Sequence, residues 1–348
     1  MANPLITTII PTFRRPLLLR RAINSALSQT LCDLRVCVCD NASNDETETT
    51  VRALQSIDSR IDYYQHPLDI GAIKNFNFGL GKVESKYFSL LSDDDFLLPD
   101  FYKLATAALE AHPAAAFATT EVLWVDKTMR LFNRSNDRWK PGYYPVPAGL
   151  MAMCNANNDR PTWTGILFRR EVLDAVGILD AEVGVWPVEH DYIRRIAAKF
   201  PFVVLPSVGA VFVDHPGSTS GPLTLSTLWP GKRKAMQNLL LDESLPLPLR
   251  RRLRSALEYE TSRTVFILAW TALIQGRLGE CRRGAEILRC EFRRRWRAGF
   301  LTIWACLAEK SPMLRSFVAR DPLRPWHAFT RTWLLISRWR RHRYRIDR

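Results

Sequence analysis

Tyr87-Phe-Ser-Leu-Leu-Ser-Asp-Asp-Asp-Phe96 sets an apolar run against three consecutive carboxylates. Tyr87 to Leu91 reads as a buried strand, and the Phe-Leu-Leu-Pro99 that follows Asp95 leads towards a helix. Adjacent anions at a strand end repel one another, so stability alone is a poor reason to place them there. A divalent cation relieves that repulsion, because Mg2+ and Mn2+ favour carboxylate and phosphate oxygens. A solvated acidic turn or a helix N-cap is the plainer reading of the same three residues.

Outward from this stretch, the first 120 residues alternate between apolar strands and helices with periodic apolar faces. Ile6–Ile10, Leu34–Cys39, Ile61–Gln65, Tyr87–Leu91 and Ala115–Thr120 read as strands. Pro16–Thr30, Asp45–Leu54, a segment beginning near Lys74, and Phe101–His112 read as helices. Such alternation implies an α/β fold with a mostly parallel sheet, whose ligands sit at the C-terminal strand ends. Asp40 and Asp93–Asp95 both fall at such ends. Residues 124–161 read as irregular, 164–168 as a strand, 170–176 and 189–200 as helices, and 203–213 as a strand pair broken by Pro206 and Gly209. After Pro230 the pattern is helical: 231–241, 248–275, 279–297, 299–308 and 325–342. The expected division is a domain over 1–225 and a basic helical region over 226–348.

The net charge of +14 is unevenly spread. Residues 1–230 carry 22 Lys and Arg against 25 Asp and Glu, whereas residues 231–348 carry 27 against 10. The basic partner surface therefore belongs to the C-terminal third, and its partner is expected to be anionic. Cys281 to Arg297 puts Leu288, Phe292 and Trp296 on one helical face among arginines, a pattern that suits an anionic membrane interface. Trp333 to Arg345 repeats the mixture. A helical subdomain with a solvated basic face is the plainer reading, and no motif supports nucleic-acid binding. The longest apolar run, Val265–Ile274, is about half of what a spanning helix needs. Seven scattered cysteines, with Cys37 and Cys39 expected to face apart, argue for reduced thiols over a disulfide or zinc framework. The N-terminus shows no signal-peptide pattern, so the expected location is cytoplasmic.

In the loop Pro11-Thr-Phe-Arg-Arg-Pro16, Phe13 offers a stacking face, and the arginines with free backbone N–H groups suit phosphate. In Asp40-Asn-Ala-Ser-Asn-Asp-Glu-Thr47 a turn with an N-cap is the plain reading, yet Asp40 closes an otherwise apolar strand. Its carboxylate could accept the imino N–H of a uracil.

Ile10-Pro-Thr-Phe-Arg-Arg-Pro16, Ala22-Ile-Asn-Ser-Ala-Leu-Ser-Gln-Thr30, Val38–Thr47, Gly71-Ala-Ile-Lys-Asn-Phe-Asn-Phe-Gly79 and Leu91–Pro99 occur in that order. Together they resemble family 2 glycosyltransferases over about residues 5–220. The resemblance implies a GT-A, Rossmann-like sheet flanked by helices, a nucleotide-diphosphate sugar donor, a divalent cation (Mn2+ or Mg2+) and inversion at the anomeric carbon. It places Pro11, Thr12, Phe13 and Arg15 at the nucleoside site, Asp40 on the base and Lys74 near the diphosphate. Asp94 and Asp95 align with the metal-binding pair, and Asp93 could share that role. In Trp186-Pro-Val-Glu-His-Asp-Tyr192 it favours Asp191 as general base, with Glu189 second. Trp163-Thr-Gly165 resembles the family's acceptor-side segment. His215, in Val213-Asp-His-Pro-Gly-Ser-Thr-Ser220, would complete the metal shell or touch the diphosphate. The expected enzyme builds a cell-envelope polysaccharide or lipid-linked glycan from the inner membrane face. The alternative is a catalytically degenerate scaffold that binds an anionic membrane or partner through its basic tail.

Overall fold

In the computed structural model, which describes residues 3–135, 139–155, 161–215 and 224–310, strands and helices alternate from the start. β1 (Ile6–Thr12), α1 (Pro16–Leu27), β2 (Leu34–Asp40), α2 (Thr47–Gln55), β3 (Ile61–Gln65), α3 (Ala72–Leu80) and β4 (Tyr87–Leu90) begin and end within three residues of the expected bounds. They are followed by β5 (Phe96–Leu97), α4 (Phe101–Ala111), β6 (Phe117–Asp126), β7 (Leu131–Ser135), β8 (Gly142–Tyr144), α5 (Ala148–Met153), β9 (Ile166–Arg169), α6 (Glu171–Val176), α7 (Val188–Lys199) and β10 (Phe202–Asp214). The remaining helices are α8 (Leu225–Leu240), α9 (Leu247–Ile274), α10 (Leu278–Cys290) and α11 (Arg295–Lys310).

The sheet runs β3-β2-β1-β4-β9-β6-β10-β5, with β7 on β6 and β8 on β10. β3, β2, β1 and β4 are parallel neighbours; β9 runs antiparallel between β4 and β6, and β10 lies parallel to β6. Every residue of β1 is buried, as a strand covered on both faces must be. The period of two sorts its side chains. Ile6 and Ile10 join the core under α1 and α4, whereas Ile9 joins the opposite core with Ile73 and Phe76 of α3. α3 lies so close to β1 that a Cβ on Gly79 would stand 2.4 Å from Cγ2 of Ile9.

Four expectations change. Residues 124–161, expected as irregular, hold the end of β6 together with β7, β8 and α5. Exposed Leu131 and Phe132 on β7 give no alternating signal from which to read a strand. Residues 203–213 form one continuous strand rather than a broken pair. The β10–β6 ladder shifts register between Val204 and Val208, and that irregularity accommodates Pro206, which has no N–H to donate. Cys37 and Cys39 point to the same face of β2, with their sulfurs 3.7 Å apart, because residues i and i+2 of a strand share a face. All seven cysteines are free thiols.

The fourth change concerns the helix expected over 279–297. It stops at Cys290, and a second begins at Arg295, with Arg293 between them at φ 54, a left-handed turn that no α-helix continues. The segment 325–342 lies outside the described residues. By packing, the described residues of 1–222 and 230–260 form one compact unit, and those of 223–229 and 261–348 a second. Among the described residues no helix is long and apolar enough to cross a membrane.

Candidate active site

The C-terminal ends of β1, β2 and β4 open onto a cavity of about 810 Å³ in the first unit. β1 delivers Pro11 and Thr12 to its floor, and the following loop delivers Phe13 and Arg15. Arg14, at φ 56, donates its backbone N–H to Ser43 Oγ at 2.9 Å and its Nε to the Ser43 carbonyl at 3.2 Å. These two bonds tie the loop after β1 to the loop after β2.

The acidic triplet divides. Asp93 and Asp94 face the cavity, whereas Asp95 turns away from it. Thr12 Oγ1 donates to Asp93 at 2.8 Å, and Arg15 Nη1 bridges Asp93 at 3.0 Å and Asp94 at 2.9 Å. His215 Nε2 stands 3.2 Å from the same oxygen of Asp94. Asp95 is fully buried and accepts from Thr164 Oγ1 at 2.7 Å and from the Val213 N–H at 3.0 Å. Both of its oxygens are thus engaged in holding the β4 turn against the Trp163–Gly165 turn and β10.

Burial, and then the Asp94 charge, push the Asp93 carboxyl up to about 6, with Arg15 and Thr12 opposing. Burial and Asp94 likewise hold the Asp95 carboxyl well above the usual range. Three acids in one turn therefore cannot all ionise cheaply without a cation. Arg15 already supplies one. Among the described residues no three acidic, His or Cys side chains converge as a closed metal cage. The carboxylate pair of Asp93 and Asp94 at the cavity is of the kind that Mg2+ or Mn2+ use, since these ions take one or two carboxylates from a protein and the rest of their shell from phosphates and water.

Asp40 ends β2 fully buried, and the base-reading role expected of it meets a carboxylate already well supplied with donors. It accepts from the Ser43 N–H at 3.0 Å and the Ser43 hydroxyl at 2.5 Å, from the Tyr63 hydroxyl at 2.6 Å and from Gln65 Nε2 at 3.4 Å. It does not line the cavity. Nor does Lys74, which projects from the exposed side of α3. The cavity instead receives the start of that helix, Gly71 to Ile73, where Gly71 adopts φ 82.

On α7 the two acids part company. Residues two apart on an α-helix point ~200° from each other. Glu189 lines the cavity and accepts the backbone N–H of Trp163. Asp191 is buried against its own unit, where Arg195 Nε donates to it at 2.8 Å and Asn238 Nδ2 at 3.1 Å. Burial raises the Asp191 carboxyl, and Arg195 pulls it back down. The residue expected first as base therefore does not reach the cavity, and the second choice does.

The structure also brings in residues that the sequence reading passed over. Asn41 donates to Asp69 at 2.5 Å and accepts the Ile70 N–H at 2.9 Å, so the loop after β3 joins the floor. Trp124, Phe132, Arg134 and Phe212 form a wall from β6, β7 and β10. Trp124 and Phe212 stack with ring centroids 4.3 Å apart. Asp69 stands two residues before Gly71 and was findable from that motif; the wall carries no motif.

Residues 7–177 match the sequence profile described as Glycosyl transferase family 2. The chain is 38% identical over 96 residues to GalNAc(5)-diNAcBac-PP-undecaprenol beta-1,3-glucosyltransferase of Campylobacter jejuni, covering 27% of this chain and 31% of that enzyme. It is 35% identical over 109 residues to chondroitin synthase of Escherichia coli, covering 29% of this chain and 15% of that protein. The chain thus spans less than a third of the length of these two relatives. In fold it is similar to S. aureus TarS 1–349 in complex with UDP-GlcNAc, at a TM-score of 0.66 and 13% identity over 91% of this chain and 90% of that one. A mannosyltransferase from Pyrobaculum calidifontis, in complex with GDP-Man and Mn2+, gives a TM-score of 0.52 at 17% identity, covering 92% and 85%. These likenesses establish the GT-A type of fold.

Proposed function

Because the chain belongs to glycosyl transferase family 2, we propose that it moves a sugar from a nucleotide-diphosphate donor to a hydroxyl of a glycan or lipid-linked acceptor, with inversion at the anomeric carbon. One observation carries this reading. An acidic pair at one end of the cavity and a separate carboxylate, Glu189, line the same space, on elements far apart in sequence. A single displacement needs these two things: a place for the departing diphosphate and a base for the incoming hydroxyl.

Pro11, Thr12 and Phe13 would flank the nucleoside, with Phe13 presenting its ring to the base. Asp93, Asp94 and His215 would hold a divalent cation, whose chemistry is to neutralise charge on the leaving diphosphate. Arg15 brings a fixed positive charge to the same end and does not depend on that ion. Glu189, oriented by the Trp163 N–H, would take the proton from the acceptor hydroxyl as that oxygen attacks. In this assignment Asp191 is a positioning residue: it ties Arg195 of α7 to Asn238 of α8. The name of the Campylobacter relative, with its PP-undecaprenol acceptor, supports a lipid-linked glycan and hence synthesis at a membrane surface for the cell envelope. The GDP-Man and Mn2+ of the mannosyltransferase similarly support the donor class and the ion.

Thermal-shift measurements on the full chain with a panel of nucleotide sugars, with Mn2+ or with a chelator, test the reading. Stabilisation by a donor that is lost on chelation is expected. Stabilisation that survives chelation would overturn the cation and leave Arg15 as the positive group. No stabilisation by any donor would favour a degenerate scaffold instead.

A further inference from the structure

Among the described residues, the second unit carries an apolar surface that their packing leaves exposed. α11 has two apolar faces. Ala298, Leu301, Ala305 and Ala308 are buried. On the other side Trp296, Phe300, Ile303 and Leu307 follow one another at i, i+4, i+7 and i+11, and are 69%, 40%, 61% and 44% exposed. An ordinary surface helix shows charged and polar residues there. α9 extends the surface. Phe266 lies 6.5 Å from the Trp296 ring and 6.2 Å from the Phe300 ring, and Trp270 lies 5.5 Å from Phe300, each partly exposed. Large contiguous apolar patches of this kind mark interaction sites.

The rim is cationic. Residues 291–297 hold four arginines and one glutamate, and the Arg297 guanidinium stands 5.2 Å from the Trp296 ring and 5.7 Å from that of Phe266. By contrast, two of the three residues that sequence periodicity places on one face with Trp296 are covered: Leu288 is 0% and Phe292 9% exposed, with Phe292 packed edge-on to Trp229 at 5.6 Å.

We propose that the exposed aromatic face of α11 and α9 docks on an anionic lipid bilayer, with Trp296, Phe300 and Ile303 entering the headgroup–acyl boundary and the arginines around residues 293–297 meeting the lipid phosphates. The proposal rests on the membrane-surface reading above and names the face that serves it. Charge complementarity selects the occupant. Residues 311–348 carry ten arginines against two aspartates, the same sign as the rim, so charge does not favour that segment as the cover. A second copy would likewise bring arginines against arginines. Tryptophan at the boundary, aliphatic residues below it and arginine beside it is the composition of a helix that lies on a membrane without crossing it.

Co-sedimentation of the full chain with vesicles of phosphatidylcholine alone, or of phosphatidylcholine with phosphatidylglycerol, tests this without any transferase assay. Binding to the anionic vesicles is expected, weakened by salt. It should fall at least ~tenfold in the Trp296→Ser/Ile303→Ser variant, because each side chain contributes a buried apolar surface to the bound state. Donor-induced thermal stabilisation serves as the folding control and should match that of the unchanged chain. If the chain has no such response, retention of its circular dichroism and melting temperature serves instead, so failure of the donor reading leaves this test standing. No binding to anionic vesicles, or undiminished binding by a folded double variant, overturns the proposal. So does a Trp333→Ser/Trp339→Ser variant that alone abolishes binding. Concentration-dependent self-association that the double variant loses would give the face to a second copy and also overturn it.

Discussion

The two sides of the cavity obey different construction rules. The floor is made of parallel strand ends, where β1, β2 and β3 stop level with one another and the next loop must turn within a few residues. Its side chains are locked by bonds across loops, such as Arg14 to Ser43, Asn41 to Asp69 and Thr12 to Asp93. The opposite side is assembled from the hairpin of β6 and β7, the long irregular β10 and the first turn of α7. It stacks Trp124 on Phe212 and brings Glu189, Asp214 at the end of β10, and Arg134 to the cavity. A floor of this kind suits the invariant part of a reaction, and a stacked wall suits the part that must fit one acceptor and exclude others. The comparison teaches that the floor's carboxylates are tied to a cationic side chain, Arg15, whereas Glu189 on the wall side accepts from a backbone N–H.

The largest expected effect follows from Glu189. Glu189→Gln should lower the transfer rate ~10²–10⁴-fold while donor stabilisation persists, as measured by single-turnover transfer beside a donor-binding titration. Asp191→Asn tests the same helix in reverse. It should leave the rate within about tenfold, since that side chain does not line the cavity. Wild-type rates in Glu189→Gln combined with an inactive Asp191→Asn would return the base to Asp191.

On the floor, Asp94→Asn should weaken cation-dependent donor binding by on the order of 10²-fold, because Arg15 and His215 both converge on that carboxylate. Calorimetric titration of donor with and without Mn2+ reads it. Asp93→Asn has a different signature. The folded Asp93 carboxyl titrates near 6, above its unfolded value, so its proton favours the fold. That stabilisation is complete below about pH 4 and is lost as pH rises through about 6. The Asn variant should therefore equal or exceed the wild type in unfolding free energy at neutral pH, by up to about 3 kcal/mol, with the difference shrinking on acidification. A difference that grows on acidification would contradict the assignment. Smallest of all, Lys74→Ala should change donor affinity less than about fivefold, since that side chain projects into solvent. A larger loss would bring Lys74 to the diphosphate and show that the floor rearranges on binding.

The floor was readable in the sequence because its elements announce themselves locally. Pro16 sits where a first helical turn tolerates it, Asp40 and the acidic triplet end apolar runs, and Gly71 opens a helix. What the sequence could not show was phase. Asp94 and Asp95 are chemically identical neighbours, and only the turn between β4 and β5 decides that one faces the cavity and the other the core. Glu189 and Asp191 differ by two residues, and their order of preference depends on the residue at which α7 begins. The wall was illegible for another reason. β7 exposes Leu131 and Phe132, so its alternation is hidden, and β10 passes through Pro206 because a register shift absorbs it. In the second unit the break at Arg293 rotated an apparently continuous amphipathic stripe, burying Phe292 and exposing Trp296.

Asp95 has a further consequence. Its two bonds reach Thr164, the neighbour of the residue that orients Glu189, and Val213, two positions before His215. One buried side chain thus ties the turn that orients Glu189 to the strand that leads to His215, as a ruler held at both marks.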